Sequence, residues 1–332
     1  MKSVATALGS DLIQKPVATA PGPDLMQMDG ILIIDKPEGF TSHDVVARLR
    51  RILKTKRIGH TGTLDPFATG VLVMLVGKAT RLAQFLDKDK KEYEAVVRFG
   101  FATDTGDRTG ELRITNYELR DFSQAELETV LADFRGEIEQ TPPMYSAKKI
   151  AGKKLYELAR QGIEVERKAV KITNYELRIT NYETPVTDDS GLRTQDFGLK
   201  VVCSAGTYIR TLAEDIGAKL GIGAHLAELR RTKAGKFDLA KAVTIEELEI
   251  LVSENRLTEV SVSMNEAVSH LPQIILNAAE IKDTLHGKKL NCGDAEFADN
   301  QNVRMIDDAQ NLIAVGVYRS AEKSVQPKLV LV

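Results

Sequence analysis

One segment, GHTGTLDPFATGVLVMLV at residues 59–76, constrains the fold more than any other stretch of this chain. Its first half is rich in glycine, threonine and proline and contains a single acid, Asp65. Its second half, residues 71–76, is a run of six apolar residues, which is typical of a buried strand and far too short to span a bilayer. The segment therefore predicts a carboxylate held on a constrained loop directly beside a core strand.

The composition fits a chain with a substantial core. Its 332 residues, 43% of them hydrophobic, suffice for one large domain or two domains. The formal net charge of -2 does not by itself indicate a nucleic-acid binder, but the lysines and arginines are clustered, and clustering matters more than the sum. Two distant cysteines and five scattered histidines form neither a disulfide framework nor a zinc motif, which fits a reducing, cytoplasmic setting.

The first 28 residues are expected to form a disordered extension. The string VATALGSDLIQ at residues 4–14 is echoed by VATAPGPDLMQ at residues 17–27, and three prolines interrupt the segment. It has no continuous apolar stretch of the kind that a signal peptide requires.

The rest of the chain alternates strand and helix patterns. ILII at residues 31–34 predicts a buried strand, and Ser42 is the expected N-cap of the amphipathic helix that follows it. Residues 197–221 indicate a strand, a turn and a helix with Arg210 at its start. From Leu271 onward only short β-type runs follow, which predicts a small, separate β-rich domain.

Several well-known catalytic motifs are absent from the sequence. Gly70, Gly77 and Lys78 do not have phosphate-loop spacing, and Ala79 stands where that motif needs serine or threonine. No Rossmann fingerprint, HExxH or GxSxG string occurs either. A metal-driven or nucleotide-driven reaction therefore has no support. An isolated Asp before Pro is usually a turn or cap residue, so Asp65 needs more context before it can be given a role.

That context comes from five strings. The segment GILIIDKPEGFTSHDVVARLRRILKTKRIGHTGTLDPFATGVLVMLVGKATRL at residues 30–82 closely resembles the TruB family, the bacterial tRNA pseudouridine-55 synthases. The resemblance recurs at KEYEAVVRFG, QTPPMYSAKKIAGKKLYELARQG, CSAGTYIRTLAEDIG and GAHLAELRRT. It runs from residue 30 to the end of the chain, and the last stretch matches only loosely.

The resemblance implies an α+β fold. We expect a pseudouridine synthase catalytic domain over residues 29–268, built on a mixed, largely antiparallel sheet with flanking helices. A small β-rich, PUA-like RNA-binding domain is expected over residues 269–332.

The resemblance also implies a reaction that breaks the N1–C1′ bond of a uridine in RNA and rejoins the uracil through C5. This isomerisation needs no cofactor and no metal. Asp65 occupies the position of the family's catalytic aspartate, and it could either attack C1′ or remove the 2′ proton, since an ionised carboxylate can do both. A carboxylate in a closed pocket needs a nearby cation to stay charged, and Arg210 in GTYIRTL matches the family's partner.

The remaining candidate site residues also come from matched motif positions. Tyr93 matches the tyrosine that stacks on the flipped uracil, and His60 matches the histidine that enters the RNA loop. Tyr208 and Leu226 match pocket-lining positions, with an ordinary core role as the alternative. Lys148 and Lys149 belong to basic runs that are expected to track phosphates.

The expected substrate is the T-loop uridine of tRNAs, and the expected enzyme is a cytoplasmic monomer that uses no guide RNA and does not contact membranes. Three alternatives stay open: the related enzyme class that works in a guide-RNA complex, an RNA-binding module without activity, and a hydrolase with Asp65 as its base. The bacterial-type segment at residues 141–162 favours stand-alone recognition of the RNA by the protein.

The string ITNYELR is an unusual repeat. It occurs at residues 114–120 and 172–178, and ITNYE follows at residues 179–183. We expect padding in surface loops or a strand extension, with a binding element as the alternative. Within a strand, the odd period would place Ile172 and Ile179 on opposite faces.

Overall fold

The structure is a computed structural model that describes residues 28–113, 120–150, 152–187, 192–293 and 295–331. The predicted N-terminal extension lies outside these residues except for Met28, and so does most of the first ITNYELR copy. In chain order the α-helices are α1 (Ser42–Ile52), α2 (Ala83–Leu86), α3 (Gln124–Ala132), α4 (Leu155–Ala159), α5 (Ile209–Leu220), α6 (Ile245–Ser253), α7 (Met264–Ala267) and α8 (Ala278–Leu285).

The strands outnumber the helices and make up most of the ordered framework. In chain order they are β1 (Gly30–Lys36), β2 (Ile58–Thr61), β3 (Thr69–Val76), β4 (Lys91–Phe99), β5 (Ala102–Thr103), β6 (Leu112–Arg113), β7 (Gly136–Gln140), β8 (Lys149–Ile150), β9 (Lys153–Lys154), β10 (Val170–Tyr182), β11 (Val186–Thr187), β12 (Arg193–Cys203), β13 (Ala224–Ala234), β14 (Phe237–Asp238), β15 (Ser261–Val262), β16 (Gln273–Ile275), β17 (Leu290–Asn291), β18 (Asn302–Ile306), β19 (Leu312–Arg319) and β20 (Ser324–Val330).

The larger sheet is mixed and mostly antiparallel, as predicted. Its strand order is β15-β1-β3-β13-β4-β12-β10-β7, with β2, β11 and β14 paired alongside. The parallel contact joins β13 to β3, where Arg230 lies opposite Thr69 and Arg231 opposite Gly70. This junction brings the end of the Asp65 loop (residues 62–71) next to a basic strand from much later in the chain.

Strands β1 and β3 are covered on both faces, which explains their unbroken apolar sequences. Ile31 and Val73 face one core cluster, while Leu32 and Leu72 face a second cluster that contains the apolar sides of α1 and α6. Strand β4 alternates instead, because only one of its faces is covered, by α3 and α5. Tyr93 lies on that covered face, close to the start of the strand.

The C-terminal unit is a five-stranded sheet in the order β16-β18-β19-β20-β17, which confirms the expected β-rich fold. It is not isolated from the larger sheet. Leu312, Val315 and Leu329 belong to the same buried cluster as Ile31 and Val71 of the larger sheet. Because the two sheets share apolar contacts, the second sheet is packed against the first.

The expected cap of α1 is wrong by one residue. Thr41 caps the helix, since its side chain accepts from the Asp44 amide while Asp44 binds the Thr41 amide in return. Ser42 is 2% exposed, and its Oγ instead bonds both backbone groups of Leu64, at 2.9 and 3.2 Å. The hydroxyl that we predicted to begin the helix therefore holds the Asp65 loop.

The second and third repeat copies form most of one strand, β10, so of the two expected placements they take the strand and not the surface loop. The odd period does not place Ile172 and Ile179 on opposite faces, because a β-bulge at Tyr175 adds one residue and restores the phase. Ile172 is 2% exposed, and Ile179 packs against the core cluster under α3 and α5.

In the described part of the chain, no helix has both the length and the apolar character needed to cross a membrane.

Candidate active site

The centre of the Asp65 loop is held by backbone groups and one buried lysine. The Ala68 amide donates to the Asp65 carbonyl, and the Gly39 amide donates to the Pro66 carbonyl at 2.9 Å. Lys36 is fully buried, and its Nζ donates to the Pro66 carbonyl at 3.1 Å and to two carbonyls of the preceding turn. Burial lowers the pKa of Lys36 to about 8. This ammonium group joins the DKPEG turn to the residue directly after Asp65.

The residues around Asp65 are also anchored by apolar packing. Leu64 and Phe67 are 3% and 5% exposed and belong to the core cluster under α3 and α5. With Leu64 also tied to Ser42, the loop has little freedom on either side of the carboxylate.

Both ends of the loop meet at one guanidinium group. Arg231 is 1% exposed and donates from Nε to the Val71 carbonyl at 2.7 Å and from Nη2 to the Gly62 carbonyl at 2.8 Å. Its positive charge also acts on the phenol of Tyr93, where it opposes the rise in pKa that burial causes. Gly70 has a φ of 97°, and a Cβ there would lie 2.2 Å from the Arg231 carbonyl oxygen. Arg231 therefore joins the two ends of the loop at the cavity wall that Tyr93 also lines.

Asp65 and Arg210 form a two-pronged ion pair across 145 residues of sequence. Arg210 Nε lies 2.9 Å from Asp65 Oδ2, and Nη2 lies 3.1 Å from Oδ1. The Arg210 side chain is 5% exposed, whereas 33% of the Asp65 side chain stays open. Arg210 thus holds the pair from a buried position, while the Asp65 carboxylate stays accessible.

Arg210 is fixed from behind by three other groups. Its Nη1 donates to the Thr105 carbonyl at 2.9 Å, and its Nη2 donates to the Tyr145 carbonyl at 2.7 Å. Asp107 Oδ2 lies 3.6 Å from Nη1, and the Asp107 side chain is 5% exposed. Thr109 donates to Asp107 Oδ1 from its amide and its hydroxyl, so this second acid is itself held in place.

Burial raises the pKa of the Asp65 carboxyl above its usual 3.8, and the Arg210 guanidinium opposes that shift. The negative charge of Asp107 adds to the increase. Arg210 is therefore the main group that favours the ionised form of Asp65.

The ion pair opens into a cavity of about 280 Å³. The wall combines the Asp65 loop, the start of β4, the turn before α5 and the inner side of β13. It is lined by Gly62, Thr63, Leu64, Asp65, Asp87, Lys91, Tyr93, Ser146, Ala147, Ser204, Ala205, Gly206, Thr207, Tyr208, Ile209, Arg210, Leu229 and Arg231. Such a mixture of one ion pair, aromatic rings and backbone turns is typical of a small-ligand site.

Both predicted tyrosines lie in this wall. Tyr93 is 8% exposed, and burial raises the pKa of its phenol. Tyr208 precedes α5, and Gln140 binds its amide and its carbonyl at 2.8 and 3.0 Å. The Gln140 side chain thereby sets the position from which Tyr208 reaches the cavity.

Leu226 does not line the cavity, and the structure places Leu229 there instead. Leu226 is 0% exposed in the core, and its backbone bonds the Gly106 carbonyl and the Arg108 amide on either side of Asp107. A β-bulge at Ala227 keeps Leu226 and Leu229 on one face of β13, but Leu226 lies opposite Val97, further along the sheet from the cavity than Leu229. Leu226 thus supports the Asp107 turn from behind.

His60, Lys148 and Lys149 lie outside the cavity wall. His60 is half-buried on β2, its Nδ1 has no partner among the described residues, and burial lowers the pKa of its imidazole. Lys149 is exposed on the β8–β9 hairpin, and Lys148 precedes it. The hairpin follows Ala147, a wall residue, so these lysines lie beside the mouth of the cavity.

Three wall or support residues were missed from the sequence: Asp107, Ser146 and Arg231. The Oγ of Ser146 is buried with no partner in the described structure. Arg231 follows Leu229 by two positions, so strand periodicity could have placed both on one face. Asp107 carries no such signal, because its turn reaches Arg210 only through tertiary contacts.

The arrangement is that of an enzyme whose reacting group is a carboxylate. An ionised carboxylate, supported by a buried arginine and facing a cavity next to a tyrosine, can act as an oxygen nucleophile or a base. Among the described residues, no group of three His, Cys, Asp or Glu side chains is placed to hold a metal ion.

Comparison of the sequence with known families and proteins agrees with an enzyme of this kind. Residues 50–209 match the TruB family pseudouridylate synthase N-terminal domain, and residues 210–276 match the tRNA pseudouridylate synthase B C-terminal domain. The tRNA pseudouridine synthase B of Solibacter usitatus is 46% identical over 77% of this chain and 85% of its own length. The Bacillus subtilis protein of that name is 40% identical over 89% of this chain and 95% of its own.

Solved structures show the same fold. A Cbf5-Nop10-Gar1 complex contains a chain that superposes with a TM-score of 0.71 at 27% identity, covering 93% of this chain and 86% of that one. A chain of an H/ACA RNP bound to a substrate RNA containing 2′-deoxyuridine superposes with a TM-score of 0.70 at 26% identity, covering 94% of this chain and 88% of that one. The chain belongs to the TruB family of pseudouridylate synthases.

Proposed function

We propose that this chain isomerises uridine to pseudouridine in tRNA, at position 55 of the T-loop. The Asp65–Arg210 pair at the cavity wall carries the proposal, since it supplies a charged carboxylate where a flipped nucleotide would enter. Family membership and the curated relatives, each named a tRNA pseudouridine synthase B, support the choice of substrate.

The reaction has three stages. The N1–C1′ bond breaks, the uracil turns within the cavity, and a C5–C1′ bond forms while the C5 proton is lost and N1 gains one. In one route Asp65 attacks C1′ and is displaced when C5 bonds to C1′. In the other route Asp65 removes the 2′ proton and returns it later. Both routes need an ionised Asp65, which Arg210 favours. The product is an isomer of the substrate, so neither route consumes a cofactor or needs a metal.

The other cavity residues bind and shape the substrate in this proposal. Tyr93 stacks on the flipped uracil, and Tyr208 and Leu229 close the remaining sides, with Leu229 replacing the expected Leu226. His60 enters the RNA loop at the vacated position. Lys148 and Lys149 bind phosphates beside the cavity mouth.

The enzyme is proposed to work alone. We expect a cytoplasmic monomer that recognises tRNA without a guide RNA, with a catalytic domain over residues 29–268 and a PUA-like RNA-binding domain over residues 269–332. The segment of residues 141–162 supports direct recognition, because its lysines flank the cavity wall at Ser146 and Ala147.

The purified chain tests this proposal with an unmodified tRNA transcript. We expect pseudouridine at position 55 with no added protein or RNA, and none in a transcript that carries cytidine there. A requirement for a second RNA would support the guide-dependent class. Release of free uracil would support a hydrolase, and tight binding without product would support a binding module. Gel filtration of the same sample tests whether the chain is a monomer.

Replacing Lys148, Lys149, Lys153 and Lys154 by Gln is expected to weaken tRNA binding and to flatten its salt dependence. Each phosphate contact that is lost lowers the slope of log affinity against log salt by about one unit. Binding titrations across a salt series measure this slope, and mapping of the product is expected to show the same uridine modified.

Lys171 and Lys219 provide the matched control for those lysines. Each is exposed and paired with an acid, Glu137 and Asp133 respectively, at 2.9 Å. Changing both to Gln is expected to leave the slope as it is. If the quadruple variant gives the same slope as this control, the phosphate track lies elsewhere.

The rate is expected to fall as the pH is lowered, because protonation removes the charge that Asp65 needs. Burial raises the pKa of this carboxyl, so the midpoint of the decline should lie above 3.8. Single-turnover rates against pH, with tRNA binding followed in parallel, measure the midpoint. A rate that stays constant down to pH 3.8 would contradict a raised pKa for the reacting group.

A further inference from the structure

Strand β10 contains a β-bulge that turns one tyrosine of the repeat outward. Asn174 lies opposite Cys203 and Glu176 lies opposite Val202, so Tyr175 is the extra residue between them. Asn174 is 1% exposed and points to the core, whereas 50% of Tyr175 is exposed. A bulge re-aims the side chain that it carries, and here it directs an aromatic ring into solvent.

The equivalent tyrosine of the next copy behaves differently. Tyr182 packs against the core, lies edge-on to Phe122 and donates its hydroxyl to the Phe122 carbonyl at 2.5 Å. The same ITNYE string thus places one ring inside and one outside. The outward ring of Tyr175 is not needed to fill the core.

A lysine lies over the exposed ring. Lys90 Nζ is 3.7 Å from the ring centroid of Tyr175, which is cation–π geometry. The ammonium contacts one face of the ring, and half of the residue's surface remains open. An accessible ring next to a cation suits an RNA nucleotide, because the base can stack on the ring and the phosphate can meet the charge.

This platform, Tyr175 with Lys90, lies beside the active-site cavity. Two residues before Tyr175, Thr173 accepts from the Ser204 amide at 2.8 Å and donates its own amide to Ser204 Oγ at 2.9 Å. Ser204 is a cavity wall residue, and so is Lys91, the neighbour of Lys90. A tRNA with one uridine in the cavity would therefore bring neighbouring nucleotides close to this surface.

We propose that Tyr175 and Lys90 form a second RNA contact, on which a base outside the cavity stacks while Lys90 meets a phosphate. This inference rests on the proposed function, since it needs tRNA as the ligand. The contact adds affinity and positions the substrate, and it touches no reacting atom. It also assigns a role to one copy of the repeat.

The experiment compares Tyr175→Thr, Tyr175→Phe and Tyr175→Trp in the full chain, with tRNA affinity, KM and kcat as readouts. Threonine keeps strand propensity but has no ring, and we expect it to weaken affinity and raise KM about tenfold with kcat unchanged. Phenylalanine should stay within about twofold of the parent, and tryptophan should bind at least as tightly, because stacking needs only the ring. Lys90→Gln should lower the salt slope by about one unit.

Tyr182→Thr is the control for loss of a repeat tyrosine, and it should lower the thermal unfolding temperature, which Tyr175→Thr should leave nearly unchanged. If Tyr175→Thr binds and modifies tRNA as the parent does, the platform proposal is wrong. If it unfolds, an unchanged affinity and salt slope in Lys90→Gln overturns the proposal. Failure of the parent chain itself to modify tRNA would instead refute the proposed function.

Discussion

Asp65→Asn is expected to abolish pseudouridine formation while tRNA affinity stays within about twofold, or roughly 0.4 kcal/mol. The amide has nearly the same shape and can still accept from Arg210, but it is neither a useful nucleophile nor a base. The loop that carries the residue is held by Leu64, Phe67 and the Pro66 carbonyl, so the substitution should not move it. Single-turnover assays with the enzyme in excess over tRNA, together with a binding titration, measure both effects.

Asp196→Asn is the matched control, because Asp196 also accepts two hydrogen bonds from one arginine, Arg98, at 2.8 and 2.6 Å. That pair is partly exposed and lies outside the cavity wall. The control is expected to turn over like the parent. Measurable turnover by purified Asp65→Asn would remove Asp65 from the central role.

Arg210→Met is expected to lower the single-turnover rate by roughly a hundredfold or more. The change leaves Asp65 without its cation and Asp107 buried, and breaking a buried pair in this way costs about 3–5 kcal/mol. The carbonyls of Thr105 and Tyr145 also lose their donors. Without the guanidinium, the pKa of Asp65 should rise further, so the remaining activity should increase towards higher pH. Rates against pH and thermal unfolding separate the catalytic loss from loss of the fold.

Arg98→Met provides the comparison for this variant. It breaks an ion pair of the same two-pronged geometry, but 41% of the Arg98 side chain is exposed, so the expected cost is at most about 1 kcal/mol. A second comparison, Arg210→Lys, keeps the charge but cannot serve both Asp65 oxygens and two carbonyls together, and it should be intermediate. Full activity in Arg210→Met would show that Asp65 needs no cation.

Much of the fold could be read from local patterns. The unbroken apolar runs of β1 and β3 predicted buried strands, and both faces of those strands are covered. The alternation of β4 places Tyr93 on the covered face, where the cavity begins. These predictions hold because burial acts on each residue through its own hydrophobicity and the period of its strand.

The details of the site depended on strand register. The bulge at Ala227 puts Leu229 on the same face of β13 as Leu226 but nearer to Tyr93 and the cavity, and the bulge at Tyr175 brings Ile172 and Ile179 to one side. A bulge reflects how two strands pair, so neither strand's own sequence reveals it. The cap of α1 is similar, because Thr41 and Ser42 can both cap a helix, and only the contact with Leu64 separates their roles.

The amino-acid sequence was enough to predict the Asp65 loop, the core strands beside it and, through motif strings, the partnership of Asp65 with Arg210. What surrounds that pair depends on how distant segments fold together. Asp107 and the Tyr145 carbonyl reach Arg210 from segments 103 and 65 residues away, and Arg231 closes the loop from 160 residues beyond Val71. A motif records which residues lie next to each other in the chain. The electrostatics of a buried carboxylate depend on which groups folding brings within a few ångströms of it.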